Sequence, residues 1–231
     1  MLYNGAAALN ITPRVKLATQ KKFLPHPSRI PLHRALRWVP KDGDLNSVEP
    51  PLNVFLTQNA FVRMCAHAGS DLDNEVGGWM AGKYCRDSLH GTPFIVIDTI
   101  LPAIHTNQDA AHLTFTGDTQ IALHNHLEEH FPDKVFLGWY HTHPRMGVFF
   151  SHWDAWLHQN FFPEAWQVAL VIEPHRSVGG FFIRQADGSL DQRAYFGFYE
   201  LTNSSQRSVV FWRNLQPAPQ FNDETEEVLS K

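Results

Sequence analysis

Two histidines and an aspartate are spaced so that their side chains can bind one metal ion. His141 and His143 flank a threonine, and Asp154 follows within the string H-x-H-P-x6-S-x-x-D. Residues 135–140 are apolar and rich in strand-forming residues, so both histidines are predicted at a strand end, where alternate side chains share a face. Two imidazoles and one carboxylate leave the fourth position of a zinc ion open to water, as in catalytic zinc sites.

The same segment also fits a purely structural interpretation. Ser151 and Asp154 have the spacing of a capping box, in which each residue satisfies the backbone N–H of the other at the start of a helix. The structural and the metal-binding interpretations are compatible if Asp154 lies in a first helical turn that presents its carboxylate to the metal.

An acidic residue upstream offers a group for proton transfer. Glu75 begins the sequence E-V-G-G-W-M-A-G, which is predicted to be a strand. Glycines inside a strand mark a bulge or a close approach of another backbone. Glu75 alone is typical of a solvated turn. Beside the histidine string, however, it is interpreted as the general base that a zinc-activated water requires.

Together, E-x-G-G and H-x-H-P-x6-S-x-x-D resemble the signature of the JAMM metalloprotease family, the MPN-plus domain. The resemblance covers about residues 52–201. It implies an α/β fold of the cytidine-deaminase-like kind, in which helices flank a curved mixed β-sheet.

The resemblance also implies a role for each residue of the signature. His141, His143 and Asp154 would bind one catalytic zinc ion. Glu75 would be the catalytic acid and base, and Ser151 would donate a hydrogen bond to the tetrahedral oxyanion. Family members that serve only as scaffolds lack some of these residues, whereas this chain has all five.

The reaction implied by the resemblance is cleavage after the C-terminal glycine of ubiquitin or a ubiquitin-like protein, by deconjugation or precursor processing. Ubiquitin-like conjugation enzymes are further expected partners, as for bacterial members of the family. Two alternatives stay open. One is a peptidase for small sulfur-carrier proteins, which also end in Gly-Gly. The other is a non-catalytic binding or assembly module of the same fold.

Composition predicts one catalytic domain with two additions. Residues 1–51 form a basic, proline-rich extension, residues 52–201 the catalytic domain, and residues 202–231 a polar, acidic tail. The net charge of −4 does not favour nucleic acid as a partner. The first 41 residues carry eight Lys/Arg and no Asp/Glu, so this basic arm is expected to contact its own acidic domain or an acidic partner.

Two cysteines and the absence of a long apolar run indicate where the chain works. Cys65 and Cys85 are expected to be free thiols of a reducing compartment, so the chain is predicted to be cytoplasmic. The first residues lack the basic start of a signal peptide, and no run of 18 apolar residues predicts a membrane span.

Hydrophobic periodicity and turn residues predict the remaining elements. Strands are expected at residues 54–56, 75–82, 94–101, 135–142 and 167–172. Helices are expected at residues 57–68, 116–131 and 154–161. A hairpin is expected from residues 180–185 and 194–200, with Asp187-Gly188 near its tip.

Other residues with reactive or aromatic side chains are interpreted individually. His124 and His126 are predicted to lie on a helix surface, because residues two apart do not share a helix face. Trp156 is expected in the core. Phe149 and Phe150 lie between the predicted ligands and are expected to be exposed, where they could contact a substrate.

Overall fold

A computed structural model describes residues 24–41, 49–103, 117–203 and 207–218 of the chain. Ten strands occur there: β1 (His26–Ser28), β2 (Ala35–Pro40), β3 (Asn53–Thr57), β4 (Gly77–Asp87), β5 (Pro93–Pro102), β6 (Val135–Thr142), β7 (Val168–Glu173), β8 (Val178–Phe182), β9 (Phe198–Leu201) and β10 (Leu215–Pro217). The helices are α1 (Gln58–Ala68), α2 (Gly117–His130) and α3 (His152–Phe161), with a short 3₁₀ turn at Leu32–Arg34. No helix of these residues is both long and apolar enough to cross a membrane.

The strands form one mixed sheet in the order β10-β2-β9-β3-β5-β4-β6-β7-β8, with β1 parallel to the end of β4. A bridge between Phe181 and Phe196 joins β8 to the segment that leads into β9. The sheet is therefore curved and nearly closed. The predicted α/β fold with a curved mixed sheet and flanking helices is confirmed.

Apolar residues pack in two main clusters. The first lies under α1, whose buried face includes Ala60, Phe61 and Met64, and it reaches Tyr140 of β6. The second lies under α3 and contains Trp139 of β6. Adjacent residues of β6 thus enter different clusters, as strand alternation requires.

Close backbone approaches explain two of the strand glycines. A Cβ at Gly78 of β4 would collide with the carbonyl oxygen of Leu101 in β5. Gly138 of β6 has φ 143°, and a Cβ there would overlap the carbonyl oxygen of Val168 in β7. The close approach predicted from the Gly-Gly pair of β4 is confirmed, although the strand begins at Gly77, two residues after Glu75.

The hairpin predicted from residues 180–185 and 194–200 is present in part. Phe181 and Phe196 form one antiparallel bridge and exchange backbone hydrogen bonds at 3.0 and 2.7 Å. The turn is also present, because the N–H of Gly188 donates to the carbonyl of Gln185 at 2.9 Å. The longer pairings lie elsewhere, since β8 pairs antiparallel with β7 and β9 pairs with β2 and β3, which a local pattern cannot predict.

Parts of the predicted extension and tail lie within the sheet. β2 pairs with β9 on one side and β10 on the other, and Trp212 is buried in the first core cluster. The division into extension, domain and tail stays a prediction. Residues 1–23, 42–48 and 219–231, which include the acidic end of the tail, lie outside the described residues.

Candidate metal centre

The two histidines of the motif lie at the end of a central strand. His141 of β6 stands between Gly77 of β4 and Val171 of β7, and its side chain is fully buried. His143 follows β6, and its N–H donates to the carbonyl of Ile172 at 2.8 Å. The two imidazoles meet, with their Nε2 atoms 3.0 Å apart.

Asp154 reaches the histidines from the first turn of α3. The Ser151 hydroxyl accepts from the N–H of Asp154 at 3.1 Å, and the Asp154 carboxylate accepts from the N–H of Ser151 at 2.7 Å. This capping box fixes the start of α3. The structural interpretation is therefore confirmed, and the same contacts aim the Asp154 carboxylate at the histidines.

The separations of the three side chains are close to those of a tetrahedral zinc site, with the two Nε2 atoms, at 3.0 Å, slightly nearer to each other than zinc would hold them. Asp154 Oδ1 lies 3.3 Å from His141 Nε2, and Asp154 Oδ2 lies 3.5 Å from His143 Nε2. Zinc with ligands at about 2.0–2.2 Å would space these atoms roughly 3.3–3.6 Å apart. His141, His143 and Asp154 each offer a ligand atom within 4.8 Å of the others. The residues therefore fit the ion that the motif predicts.

Charge and hydrogen bonding keep Asp154 ionised. Burial alone would raise the pKa of its carboxyl group. Attraction to His141, with hydrogen bonds to His141, His143 and Ser151, outweighs burial and holds the pKa of Asp154 well below its usual range. An ionised carboxylate is the form that binds a metal.

Aromatic side chains hold the two imidazole rings. The ring of Trp139 stacks on that of His141 with centroids 4.4 Å apart, and Phe149 contacts His143 at 4.7 Å. The Nδ1 atoms of both histidines are buried without a hydrogen-bond partner among the described residues. Metal-binding histidines usually donate this second N–H to an acceptor. In this structure the ring contacts of Trp139 and Phe149 orient the two imidazoles.

Glu75 lies beside this cluster. Its Oε1 is 3.9 Å from His143 Nε2, and its side chain is only 13% exposed. The loop that carries it is fixed to β6 because Val76 and Thr142 exchange hydrogen bonds, from the N–H of Val76 to the Thr142 hydroxyl and from the N–H of Thr142 to the Val76 carbonyl. Glu75 is thus near the candidate metal ligands but outside the three-residue group.

The Ser151 hydroxyl also lies at the edge of the cluster. It acts as an acceptor for the N–H of Asp154. A hydroxyl has one proton in addition to its acceptor lone pairs, so Ser151 can still donate a hydrogen bond. The structure therefore brings together all five residues that the motif predicts.

Sequence reasoning missed one buried histidine behind the centre. The indole N–H of Trp139 donates to His158 Nδ1 at 3.1 Å. Burial, assisted by the positive charge of Arg184, lowers the pKa of His158 from 6.5 to about 3. The sequence feature that could have indicated His158 is its position four residues after Asp154, because this spacing places both side chains on one face of α3.

Two aromatic side chains lie where the sequence did not predict them, and the others are placed as expected. Phe150 is not exposed but stacks on Phe182 with centroids 5.0 Å apart, because it closes the second core cluster. Trp156 is not in the core but 48% exposed, stacked on Trp153 along the outer face of α3. Phe149 is 36% exposed, as expected. His124 and His126 lie on the surface of α2, as predicted.

A known family matches the part of the chain that contains this centre. The family described as JAB1/Mov34/MPN/PAD-1 ubiquitin protease matches residues 49–163, about half of the chain. The chain belongs to the MPN/JAMM family. The match begins before β3 and ends just after α3, so it includes every residue of the predicted site.

Named relatives of the MPN/JAMM family agree with this assignment. The 26S proteasome non-ATPase regulatory subunit 14 of Caenorhabditis elegans is 29% identical over 143 residues, which are 59% of this chain and 43% of that protein. The ubiquitin carboxyl-terminal hydrolase RPN11 of Saccharomyces cerevisiae is 27% identical over 143 residues, 61% of this chain and 45% of that protein. The chain spans less than half the length of either relative.

A solved structure of similar shape comes from Desulfitobacterium hafniense. Protein DSY2949 has a TM-score of 0.46 and 23% sequence identity, and the match covers 61% of this chain and 90% of that one.

Proposed function

We propose that the protein is a zinc-dependent peptidase that cleaves after the C-terminal glycine of ubiquitin or a ubiquitin-like protein. The observation that carries the proposal is the meeting of His141, His143 and Asp154 with Glu75 beside them. The fold belongs to a family described as a ubiquitin protease, and one relative is named a ubiquitin carboxyl-terminal hydrolase. Two free cysteines favour a reducing compartment, and we place the reaction in the cytoplasm.

In this proposal each residue has a separate task. Bound by the two histidines and Asp154, zinc would act as a Lewis acid and bring the pKa of a water to about 7. Glu75 would accept the proton of the attacking water and pass it to the leaving amine. The Ser151 hydroxyl would donate a hydrogen bond to the oxyanion that forms from the scissile carbonyl.

Burial of the ligands supports a slender substrate. His141, His143 and Asp154 are each 5% exposed or less. A peptide must bring its scissile carbonyl close to these atoms, and side chains near that bond would collide with the surrounding walls. Two successive glycines meet this requirement. A Gly-Gly tail is shared by ubiquitin-like and sulfur-carrier proteins, so a sulfur-carrier substrate remains the alternative.

The short connection after α3 supports tolerance of the leaving group. Only residues 162–167 separate α3 from β7. So short a segment offers few contacts to a protein on the leaving side. Recognition would then depend on the ubiquitin-like body and its tail.

The first prediction separates the metal ligands from the general base. The purified protein should contain about one zinc ion per chain, and His141→Ala or His143→Ala should lose it, because each removes one of three ligands. Glu75→Gln should keep zinc and the fold while cleavage is lost. Metal analysis and thermal unfolding provide the measurement. Loss of zinc in Glu75→Gln would contradict the assignment of Glu75 as a base.

The second prediction concerns the substrate. A ubiquitin-like protein with a C-terminal extension and one with a lysine-linked adduct should both be cleaved after the terminal glycine. Replacing the penultimate glycine of the tail by leucine should abolish cleavage, whereas replacing the leaving protein by a small amine should not. Mass spectrometry of the products identifies the cleaved bond. Equal cleavage of unrelated peptides would indicate a general zinc peptidase, and zinc binding without any cleavage would favour the binding module.

A further inference from the structure

A buried carboxylate at the end of β7 organises two loops near the metal centre. The Glu173 side chain is fully buried. It accepts backbone N–H groups of Arg145 at 3.1 Å, His175 at 2.9 Å and Arg176 at 3.0 Å. Arg145 has φ 64°, a conformation that L residues rarely adopt, and the hydrogen bond to Glu173 helps to hold it there. Glu173 therefore fixes the chain reversal that directly follows His143.

Two side chains presented by this arrangement reach across to the loop that carries Glu75. The Arg145 guanidinium contacts Asp73 Oδ1 at 3.1 Å. His175 Nε2 donates to the carbonyl of Leu72 at 2.8 Å. One buried carboxylate thus supports two cross-links to residues 72 and 73, directly before the predicted base.

The loop has its own internal support as well. Asp71 accepts from the N–H groups of Asp73 at 3.0 Å and Asn74 at 2.9 Å. These bonds shape the turn but attach it to no other element. The link to β6 begins only at Val76. The cross-links from Arg145 and His175 attach residues 72 and 73, just before Glu75, to the segments that follow His143 and β7.

We infer that Arg145, His175 and Glu173 are positioning residues that keep Glu75 beside His143. The inference rests on the proposed function. Arg145 has a side chain 66% exposed and Asp73 one 78% exposed, so their pair contributes little to global stability. Loss of this pair should instead displace Glu75 from its position beside His143. A displacement of 1 Å can lower the rate about 10²-fold.

Arg176 provides a matched control for Arg145. Its backbone N–H also donates to Glu173, and its side chain is 70% exposed, but its guanidinium pairs with Glu173 at 3.8 Å and not with the loop before Glu75. Arg145→Ala and Asp73→Ala should each lower kcat about 2- to 5-fold, with KM and zinc content unchanged. The double variant should lose no more than either single variant, because both remove one contact. Arg176→Ala should match the wild type.

Three further variants test whether these residues act by positioning Glu75. His175→Ala should act like Arg145→Ala, since it removes the donor to the Leu72 carbonyl. The charge-swapped pair Arg145→Asp with Asp73→Arg should recover part of the lost kcat, which general destabilisation would not allow. Glu173→Gln keeps the size of the side chain and should lower kcat, provided that its thermal unfolding shows an intact fold.

Hydrogen exchange of the backbone amides of residues 73–76 gives a readout independent of activity. Exchange should be faster in Arg145→Ala and His175→Ala than in the wild type and unchanged in Arg176→Ala. Unchanged exchange and unchanged kcat in Arg145→Ala would overturn the inference. If the zinc-loaded wild type cleaves no ubiquitin-like substrate, the proposed function fails, while the exchange rates still decide whether these residues hold the loop.

Discussion

At the scale of single residues, His158 is held neutral behind the metal centre. Its folded pKa of about 3 lies below the ordinary value of 6.5, so between these values the unfolded chain binds a proton that the folded chain does not. Stability from this residue is complete above pH 6.5 and is lost as the pH falls towards 3. Between these pH values the free energy of unfolding falls by about 1.4 kcal/mol per pH unit.

His158→Asn should flatten this part of the stability curve. The asparagine oxygen can accept from Trp139 in place of Nδ1 but does not titrate. The free energy of unfolding is measured from pH 7 to 4 on chelator-treated protein. Its slope with pH should be smaller in the variant, by the amount that corresponds to about one bound proton. Equal slopes in the wild type and in His158→Asn would contradict this account.

The residues of the candidate site differ in how far sequence could predict them. His141, His143, Ser151 and Asp154 lie within one string, and strand alternation and helix capping are local rules that already require their arrangement. Glu173 acts on backbone N–H groups 28 residues away and nearby in its own turn. Almost any residue supplies such N–H groups, so no side-chain pattern in the sequence predicts this contact.

At the scale of elements, α3 combines a structural cap with the proposed catalysis. Ser151→Ala should cost about 1 kcal/mol of stability as a lost N-cap. It should also lower kcat by about 10² to 10³, because an oxyanion donor is removed. KM should change little, as expected for an interaction made only in the transition state.

Thr57, the N-cap of α1, is the matched control for this capping residue. Its hydroxyl accepts from the N–H of Ala60 at 3.3 Å, at the start of a helix that packs in the first core cluster. Thr57→Ala should lower the free energy of unfolding by about the same 1 kcal/mol and leave kcat unchanged. Chemical unfolding and steady-state kinetics on both variants give the comparison. Similar kcat values for the two variants would assign Ser151 to the cap alone.

Elements set by local patterns were predicted correctly, whereas distant pairings were not. The bounds predicted for β6 are those observed, because its apolar run ends at a proline two residues beyond the strand. The turn near Asp187 predicts a hairpin of residues 180–185 and 194–200, and the two segments meet in the Phe181–Phe196 bridge. The main partners of β8 and β9 are β7 on one side and β2 and β3 on the other. The partners of β8 and β9 depend on how the whole sheet closes, which no local pattern specifies.

At the scale of the whole molecule, a buried carboxylate joins the two ends of the described chain. Glu200 of β9 is fully buried and accepts from the indole N–H of Trp38 at 3.0 Å. It also accepts from Gln58 at 2.7 Å, and from Ser208 and Val209 at 2.6 and 2.8 Å. One side chain therefore binds β2, α1 and the segment that leads to β10. Removal of any of these segments would leave a buried charge with unsatisfied bonding capacity.

Deletion of residues 1–51 should therefore unfold the domain and not merely remove a dispensable extension. The deletion removes β2, so β9 loses a neighbour, β10 loses its partner, and Glu200 loses the Trp38 donor. Deletion of residues 1–23 removes none of these contacts and serves as the control. The longer deletion should abolish cooperative thermal unfolding, and the shorter one, which keeps β2 and the Trp38 donor, should retain it. Limited proteolysis of the full chain should likewise leave residues 26–40 attached. Rapid trimming to near Val54 with unchanged Tm would show that β2 is dispensable and that the basic extension is only an appendage.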